Sequence, residues 1–343
     1  SPLINNILML AMITGTIITM TSNHWILAWL GLEINMMAIV PLISMTHHPR
    51  ATEATIKYFL AQTGASLLML FSSSLNAWHS GTWDITQLTH PMACTTLTIA
   101  LCMKIGLTPM HLWLPEVMQG TTLKMALLIA TWQKLAPMSL IIMTTNSHSK
   151  FLLLTMASLS IVIGGWGGIN QTQLRKIMAY SSIANMGWMM IILQQAPKLT
   201  TLTLFLYILM TTTLFMTLMP QKTKTIKAIG TTWTLSPPLT IIMMLTLTSL
   251  GGLPPMTGFA PKWLILEKLL FENLTPLATI TAMATLLSLF FYLRLFYSTT
   301  MTIFPNTTTS TQKWRYQMKT TTIMMLTTPT TLMLLPILPI IIP

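Results

Sequence analysis

Four ionisable residues stand inside apolar stretches where a charge is costly: Glu33 in WLGLEINMM, Lys104 in LCMKIGLTP, Lys134 in TWQKLAP and Lys262 in GFAPKWLIL. A charged side chain at the centre of a bilayer costs roughly 2.5 to 3.5 kcal/mol even on the mildest insertion scale, so four of them need a reason. Ion pairs that lock helices together are one reason. A proton relay is the other, because burial disfavours the charged form of an acid or an amine and makes its proton exchangeable near neutral pH. One acid cannot pair with three lysines, which favours the relay.

Other polar residues have simpler readings. Lys57 has Glu53 four residues before it, the favourable order for a helix pair, and Lys268 and Arg294 are close enough to helix ends to snorkel. His111, two residues past Pro109, could pass a proton through water or be an ordinary hydrogen-bonded group. Glu116 could cap a helix or join the relay. His47 and His48 precede Pro49 in what reads as a solvated turn. The run GGWGG over 164–168 lacks the Lys and Ser/Thr of a phosphate loop and suits close helix packing instead. The 2 cysteines, Cys94 and Cys102, are too few for an iron–sulfur cluster or a four-ligand zinc site, so no cofactor and no metal is expected on this chain.

The elements that must hold these groups are membrane helices. Of 343 residues 52% are hydrophobic and 7% charged, against about 25% charged in a soluble domain. Apolar runs recur at roughly 2–20, 25–45, 56–76, 93–119, 124–144, 151–169, 177–195, 201–219, 236–270, 277–298 and 321–341, which predicts an all-α polytopic protein of about 11 transmembrane helices. The first run lacks the basic flank and cleavage site of a signal peptide and reads as a mature span. Polar connections are longest near 220–235 and 299–320.

Two spans carry proline and glycine at their centres, in KIGLTPMHLWLPE and SLGGLPPMTGFAPKW, and both should be broken. Broken backbone at membrane depth is tolerated only where protein or water satisfies it, and a pair of such segments points to a transport pathway. The spacing fits a single domain over 1–343 made of two inverted five-helix repeats, about 2–144 and about 151–298, each with a broken helix, and a terminal helix at about 321–341.

The net charge of +12 is topological and does not mark a nucleic-acid surface. The even-numbered loops hold Arg50, Lys124, Arg175, Lys176, Lys222, Lys224, Lys227, Lys313, Arg315 and Lys319, whereas the odd ones hold Lys150 and Lys198. The positive-inside rule then places the even loops and the N-terminus inside and the C-terminus opposite.

Six segments together carry a resemblance: HWILAWLGLEINMMAIVPL, ATIKYFLAQTGAS, KIGLTPMHLWLPEVMQG, WQKLAP, GGWGGINQTQLRKIMAYSSIANMGW and GGLPPMTGFAPKW. Over nearly the whole chain the sequence resembles the antiporter-like membrane subunits of respiratory NADH:ubiquinone oxidoreductase, of the vertebrate mitochondrial kind. The resemblance implies a multi-pass protein of the mitochondrial inner membrane, made inside the organelle, with its N-terminus in the matrix and its C-terminus in the intermembrane space. It implies partners among the other membrane-arm and accessory subunits, contact with membrane lipids, and no redox centre here. NADH, flavin, iron–sulfur clusters and ubiquinone would be bound by partner subunits. The family's buried glutamate falls on Glu33, and its three relay lysines fall on Lys104, Lys134 and Lys262. The chain departs from bacterial relatives, which have three more helices at the N-terminus, and it lacks the long amphipathic C-terminal helix of the family's largest member. A free-standing cation/proton transporter and a purely structural subunit are the alternatives that the residues leave open.

Overall fold

The computed structural model describes residues 2–221, 223–300 and 322–338, and most of them are helical. Threonine and serine are abundant, and β-branched polar residues are poor helix formers in water. Here their hydroxyls donate to the carbonyl three or four residues back, as Thr16 does to Ile13 O at 2.8 Å, Thr217 to Leu214 O at 2.8 Å and Thr246 to Met243 O at 2.9 Å. Each hydroxyl is thereby satisfied within its own helix and can enter an apolar medium. Six of the described helices are long and apolar enough to cross a membrane. Among the described residues there is no strand, only two isolated antiparallel bridges.

The chain forms two compact units, Ser1–Ser160 and Ile161–Pro343. The first holds α1 (Pro2–Thr21), α2 (Trp25–Ser44), α3 (Pro49–Ser80), the pair α4 (Pro91–Ile105) and α5 (Trp113–Gly120), and the pair α6 (Leu123–Ala130) and α7 (Leu135–Met143). The helix α8 (Lys150–Ile169) straddles the boundary. The second unit continues with α9 (Leu174–Ile192), α10 (Pro197–Gln221), two short pieces α11 (Ile226–Gly230) and α12 (Thr232–Leu235), the pair α13 (Pro237–Gly251) and α14 (Phe259–Phe271), and α15 (Thr275–Thr300). A further helix, Thr322–Met333, lies where the terminal span is expected.

Local chemistry sets the helix ends. His24 and His48 each accept, at Nδ1, a backbone N–H of the first turn of α2 and α3, so His48 is a helix cap. One close crossing in the first unit is glycine on glycine. A Cβ on Gly15 of α1 would lie 2.8 Å from Gly31 O of α2, and one on Gly31 would lie 2.8 Å from Gly15 O. That approach fixes α2 two residues before Glu33. In α8 the glycine run packs as expected: a Cβ on Gly164 would lie 2.8 Å from Ala184 N, and one on Gly168 would lie 2.7 Å from the Phe291 ring.

Both expected breaks are present. At the first, Gly106 takes φ 85° and ends α4, with the N–H groups of Gly106 and Leu107 both donating to Cys102 O at 3.0 and 2.9 Å. At the second, Gly252 takes φ 81° and ends α13, with Leu253 N donating to Thr248 O at 3.2 Å. Only glycine adopts this left-handed turn without a steric cost. A cis X–Pro bond follows at the same place in each break, Thr108–Pro109 and Pro254–Pro255.

The structure refines three expectations. The span expected at 124–144 is found over Leu123–Met143, and within it a 3-10 turn, Trp132–Lys134, separates α6 from α7. Pro137 is the cause, because it has no N–H for the Gln133 carbonyl and its ring crowds that carbonyl. The polar connection near 220–235 contains α11 and α12 and is tied to the start of α9 by Leu174 N to Lys224 O at 3.2 Å and Ile226 N to Thr172 O at 3.1 Å. Arg294, near a helix end as expected, has a partner on another helix. Its guanidinium donates to Ile169 O, the last carbonyl of α8, at 2.7 Å, where a cation suits the negative end of a helix dipole. The connection at 299–320 and its basic residues lie outside the described residues from 301 onward.

Candidate functional site

In the first unit, Lys104 occupies the last turn of α4 and Lys134 closes the 3-10 turn between α6 and α7. Their side chains are 6% and 2% exposed, so both amines are withdrawn from the surface. Both line one small polar cavity, together with Tyr58, Gln62, Trp113 and Gln133. The carbonyls that α4 leaves unpaired at its end are met by side chains: Gln62 Nε2 donates to Lys104 O at 3.3 Å, and Trp113 Nε1 to Met103 O at 3.1 Å. The Tyr58 hydroxyl donates to Gln133 Oε1 at 3.3 Å. Glu33 is half-buried and within electrostatic reach of Lys104 and Tyr58. It makes no contact ion pair with Lys104, and its Oε1 is buried without a hydrogen-bond partner among the described residues.

Two sequence candidates lie apart from that cavity. His111 is buried in the first break, where its Nδ1–H is held by Pro109 O at 3.2 Å. Glu116 is about half exposed and accepts from Lys57 at 2.6 Å, while Lys57 also meets Glu53 at 2.5 Å as its spacing predicts.

The second unit has its own site. Lys262, in the first turn of α14, donates to Gly251 O at 2.8 Å and to Leu250 O at 3.3 Å, the last carbonyls of α13. It lines a small cavity with Asn185, Thr203, Tyr207 and Leu250. The Tyr207 hydroxyl has Ser182 as a polar neighbour, and the Tyr292 hydroxyl has Ser181 and Asn185. The Asn185 amide nitrogen is buried without a partner among the described residues.

The two breaks share a spacing, since GLTPMHLWLPE over 106–116 and GLPPMTGFAPK over 252–262 carry Gly, Leu, Pro, Met and a second Pro at matching places. Their last residues are Glu116 and Lys262. Two places before each glycine stand Lys104 and Leu250. Sequence reasoning missed Tyr58, Gln62, Gln133 and Tyr207. Each is a polar side chain in an apolar run, and that was the available signal. Among the described residues no three His, Cys, Asp or Glu side chains converge as metal ligands.

A family model described as NADH:quinone oxidoreductase/Mrp antiporter, transmembrane, matches residues 22–290, and one described as NADH dehydrogenase subunit 2 C-terminus matches 289–342. The chain is 53% identical to NADH-ubiquinone oxidoreductase chain 2 of Salmo salar over 92% of its own length and 90% of that protein's. It is 52% identical to the protein of that name from Struthio camelus, over 97% of this chain and 96% of that one. Among solved structures, a chain of respiratory complex I from Thermus thermophilus superposes with a TM-score of 0.84 at 23% identity, covering 97% of this chain and 79% of that one. A chain of the Mrp complex from a Dietzia species superposes with a TM-score of 0.78 at 16% identity, covering 85% and 60%.

Proposed function

Because the chain belongs to the NADH:quinone oxidoreductase/Mrp antiporter transmembrane family, we propose that it is a proton-translocating, antiporter-like subunit of respiratory NADH:ubiquinone oxidoreductase in the mitochondrial inner membrane. Its partners are the other subunits of that complex, which supply the redox chemistry. NADH, flavin, iron–sulfur clusters and ubiquinone belong to those partners. This chain contributes titratable side chains and a path. We also propose the finer organisation: about 11 spans, two inverted five-helix repeats, the N-terminus in the matrix and the C-terminus in the intermembrane space, as the loop charges suggest.

The working parts in this reading are Glu33, Lys104, Lys134 and Lys262, with His111 as an accessory group at the first break. The observation that carries it is the cavity with Lys104 and Lys134 both on its wall and Glu33 in electrostatic reach. Two buried amines that share a polar cavity can exchange a proton. A carboxylate that acts on one of them through space, without a direct ion pair, can bias which amine holds it. Lys262 is the proposed exit. Its ammonium is held by the carbonyl end of α13, and a shift of the break would withdraw that partner and release the proton. Moving one charge against the membrane potential costs about 2.3 kcal/mol per 100 mV, so the affinity must swing by more than that.

The test is proton transport alongside NADH oxidation in the reconstituted complex. Lys262→Arg keeps the charge but cannot release a proton. It should assemble normally and lose at least half of coupled transport. Glu33→Gln should slow turnover, and Glu33→Asp should be milder. Full coupled activity in both Lys262→Arg and Glu33→Gln would leave these residues as structural charges.

A further inference from the structure

The wall between Lys104 and Lys134 carries a side chain that packing alone does not explain. Tyr58 is 1% exposed, and its ring meets Trp113 edge-on at 5.8 Å, a contact phenylalanine would make equally well. Its hydroxyl is a buried polar group with a long bond to Gln133 Oε1, and burying a hydroxyl is unfavourable unless it is well partnered. Tyr58 lines the cavity shared by the two lysines, and its hydroxyl bonds to Gln133, which lines it too, as does Gln62. The cavity is polar and has room for about one water.

We propose that Tyr58 is a positioning residue for proton transfer between Lys104 and Lys134, its hydroxyl fixing the water that joins them. The inference rests on the relay proposed above. Tyr58 donates to Gln133 Oε1, so its oxygen lone pairs are left to accept one O–H of the water. The water accepts from the Lys104 ammonium and donates its other O–H to the Lys134 amine. On transfer, an N–H bond of Lys104 breaks as an O–H bond of the water forms, and the water's O–H toward Lys134 breaks as an N–H bond forms there. The products are a neutral Lys104, a protonated Lys134 and an unchanged water, and Tyr58 keeps its own proton throughout.

The second unit repeats the device independently. Tyr207 is 2% exposed and lies on α10, the third long helix counted from α8, as Tyr58 lies on the third helix of the first unit. It lines the cavity of Lys262, with Ser182 as a polar neighbour of its hydroxyl. A buried tyrosine beside a broken-helix lysine therefore occurs twice on different local sequences.

The experiment uses the whole complex in liposomes, with NADH oxidation and proton transport measured in H₂O and in D₂O. Tyr58→Phe keeps the ring and removes the hydroxyl. It should assemble, leave the KM for NADH unchanged, slow coupled turnover several-fold and raise the solvent isotope effect. Gln133→Met should act in the same direction, and the double variant should be no slower than Tyr58→Phe alone. Lys104→Met and Lys134→Met are measured beside them. If these lysine variants lose transport while Tyr58→Phe retains the normal rate and isotope effect, the tyrosine has no such role and the relay stands. If the lysine variants transport normally, the relay fails and the tyrosine proposal with it. Should Tyr58→Phe not assemble, Gln133→Met decides: slowed turnover with a raised isotope effect supports the proposal, and wild-type behaviour overturns it.

Discussion

The two helix breaks are built on one spacing, yet they satisfy their carbonyls in opposite ways. At the end of α4 neutral donors do it, Gln62 on Lys104 O and Trp113 on Met103 O, so Lys104 can turn its amine toward Lys134 and the shared cavity. At the end of α13 the position of Lys104 is taken by Leu250, and the cation comes from beyond the break, where Lys262 caps Leu250 O and Gly251 O itself. A lysine whose ammonium is also the helix cap has its proton affinity tied to backbone geometry, because hydrogen bonds from a charged donor are roughly twice as strong as neutral ones. The first break is therefore suited to passing a proton between side chains, and the second to letting one go when the backbone moves.

The largest expected effect comes from filling the second break. A Cβ on Gly258 would lie 1.8 Å from Ser249 O, a separation no real side chain adopts, so α13 and α14 would have to part. Gly258→Ala should abolish or severely reduce assembled complex, read by native electrophoresis and by thermal melting. The matching place in the first break is Leu112, which is 67% exposed. Leu112→Ala should assemble at wild-type levels. Equal assembly of the two variants would show that the breaks are not differently constrained.

The hinge glycines separate backbone strain from site chemistry. Gly106→Ala and Gly252→Ala both force an L-residue into the left-handed region, at roughly 1 to 2 kcal/mol each, so both should lower thermal stability by similar amounts. Their neighbours differ. A Cβ at 106 meets Leu114 Cδ1 at 3.0 Å, whereas one at 252 meets Lys262 Cδ at 2.8 Å and Nζ at 2.9 Å. Gly252→Ala should therefore also push the ammonium off its carbonyls and lower the protons moved per NADH. Gly106→Ala should leave that ratio unchanged. A normal ratio in Gly252→Ala would mean that the contact between Lys262 and α13 is incidental.

What was legible in the sequence follows from what acts locally. The breaks were legible because Gly and Pro act on their own backbone, and the Glu53–Lys57 pair because four residues is one helical turn. The interruption at Lys134 was written in Pro137, but one proline in an apolar run also suits a mild kink, and only the freed Gln133 carbonyl shows which occurs. The partner of Arg294 was not legible because its acceptor, Ile169 O, lies on another helix. The four charged candidates were legible from the cost of burying charge. Tyr58, Gln62, Gln133 and Tyr207 were not, since a tyrosine or glutamine in a span pays a smaller penalty and reads as packing until its neighbours are known.

The smallest expected effect tests whether the two breaks differ in role as well as in build. Glu116 and Lys262 hold matching places, but Glu116 turns outward to an exposed pair with Lys57, which keeps Glu53 as a second acceptor. Exposed ion pairs contribute little and are screened by salt, so Lys57 loses little when one acceptor of two is removed. Glu116→Gln retains size and hydrogen bonding and should leave assembly and the protons moved per NADH unchanged, with turnover within about twofold of wild type, since 1.4 kcal/mol is needed for a tenfold change. Lys262→Gln at the matching place should cost most of the coupled transport, because an amide can neither carry the proton nor supply a charged cap to α13. Paired measurements on the same reconstituted complex decide it. If Glu116→Gln proved as damaging as Lys262→Gln, the two positions would be one functional element repeated, and the contrast between a passing break and a releasing break would have to be abandoned.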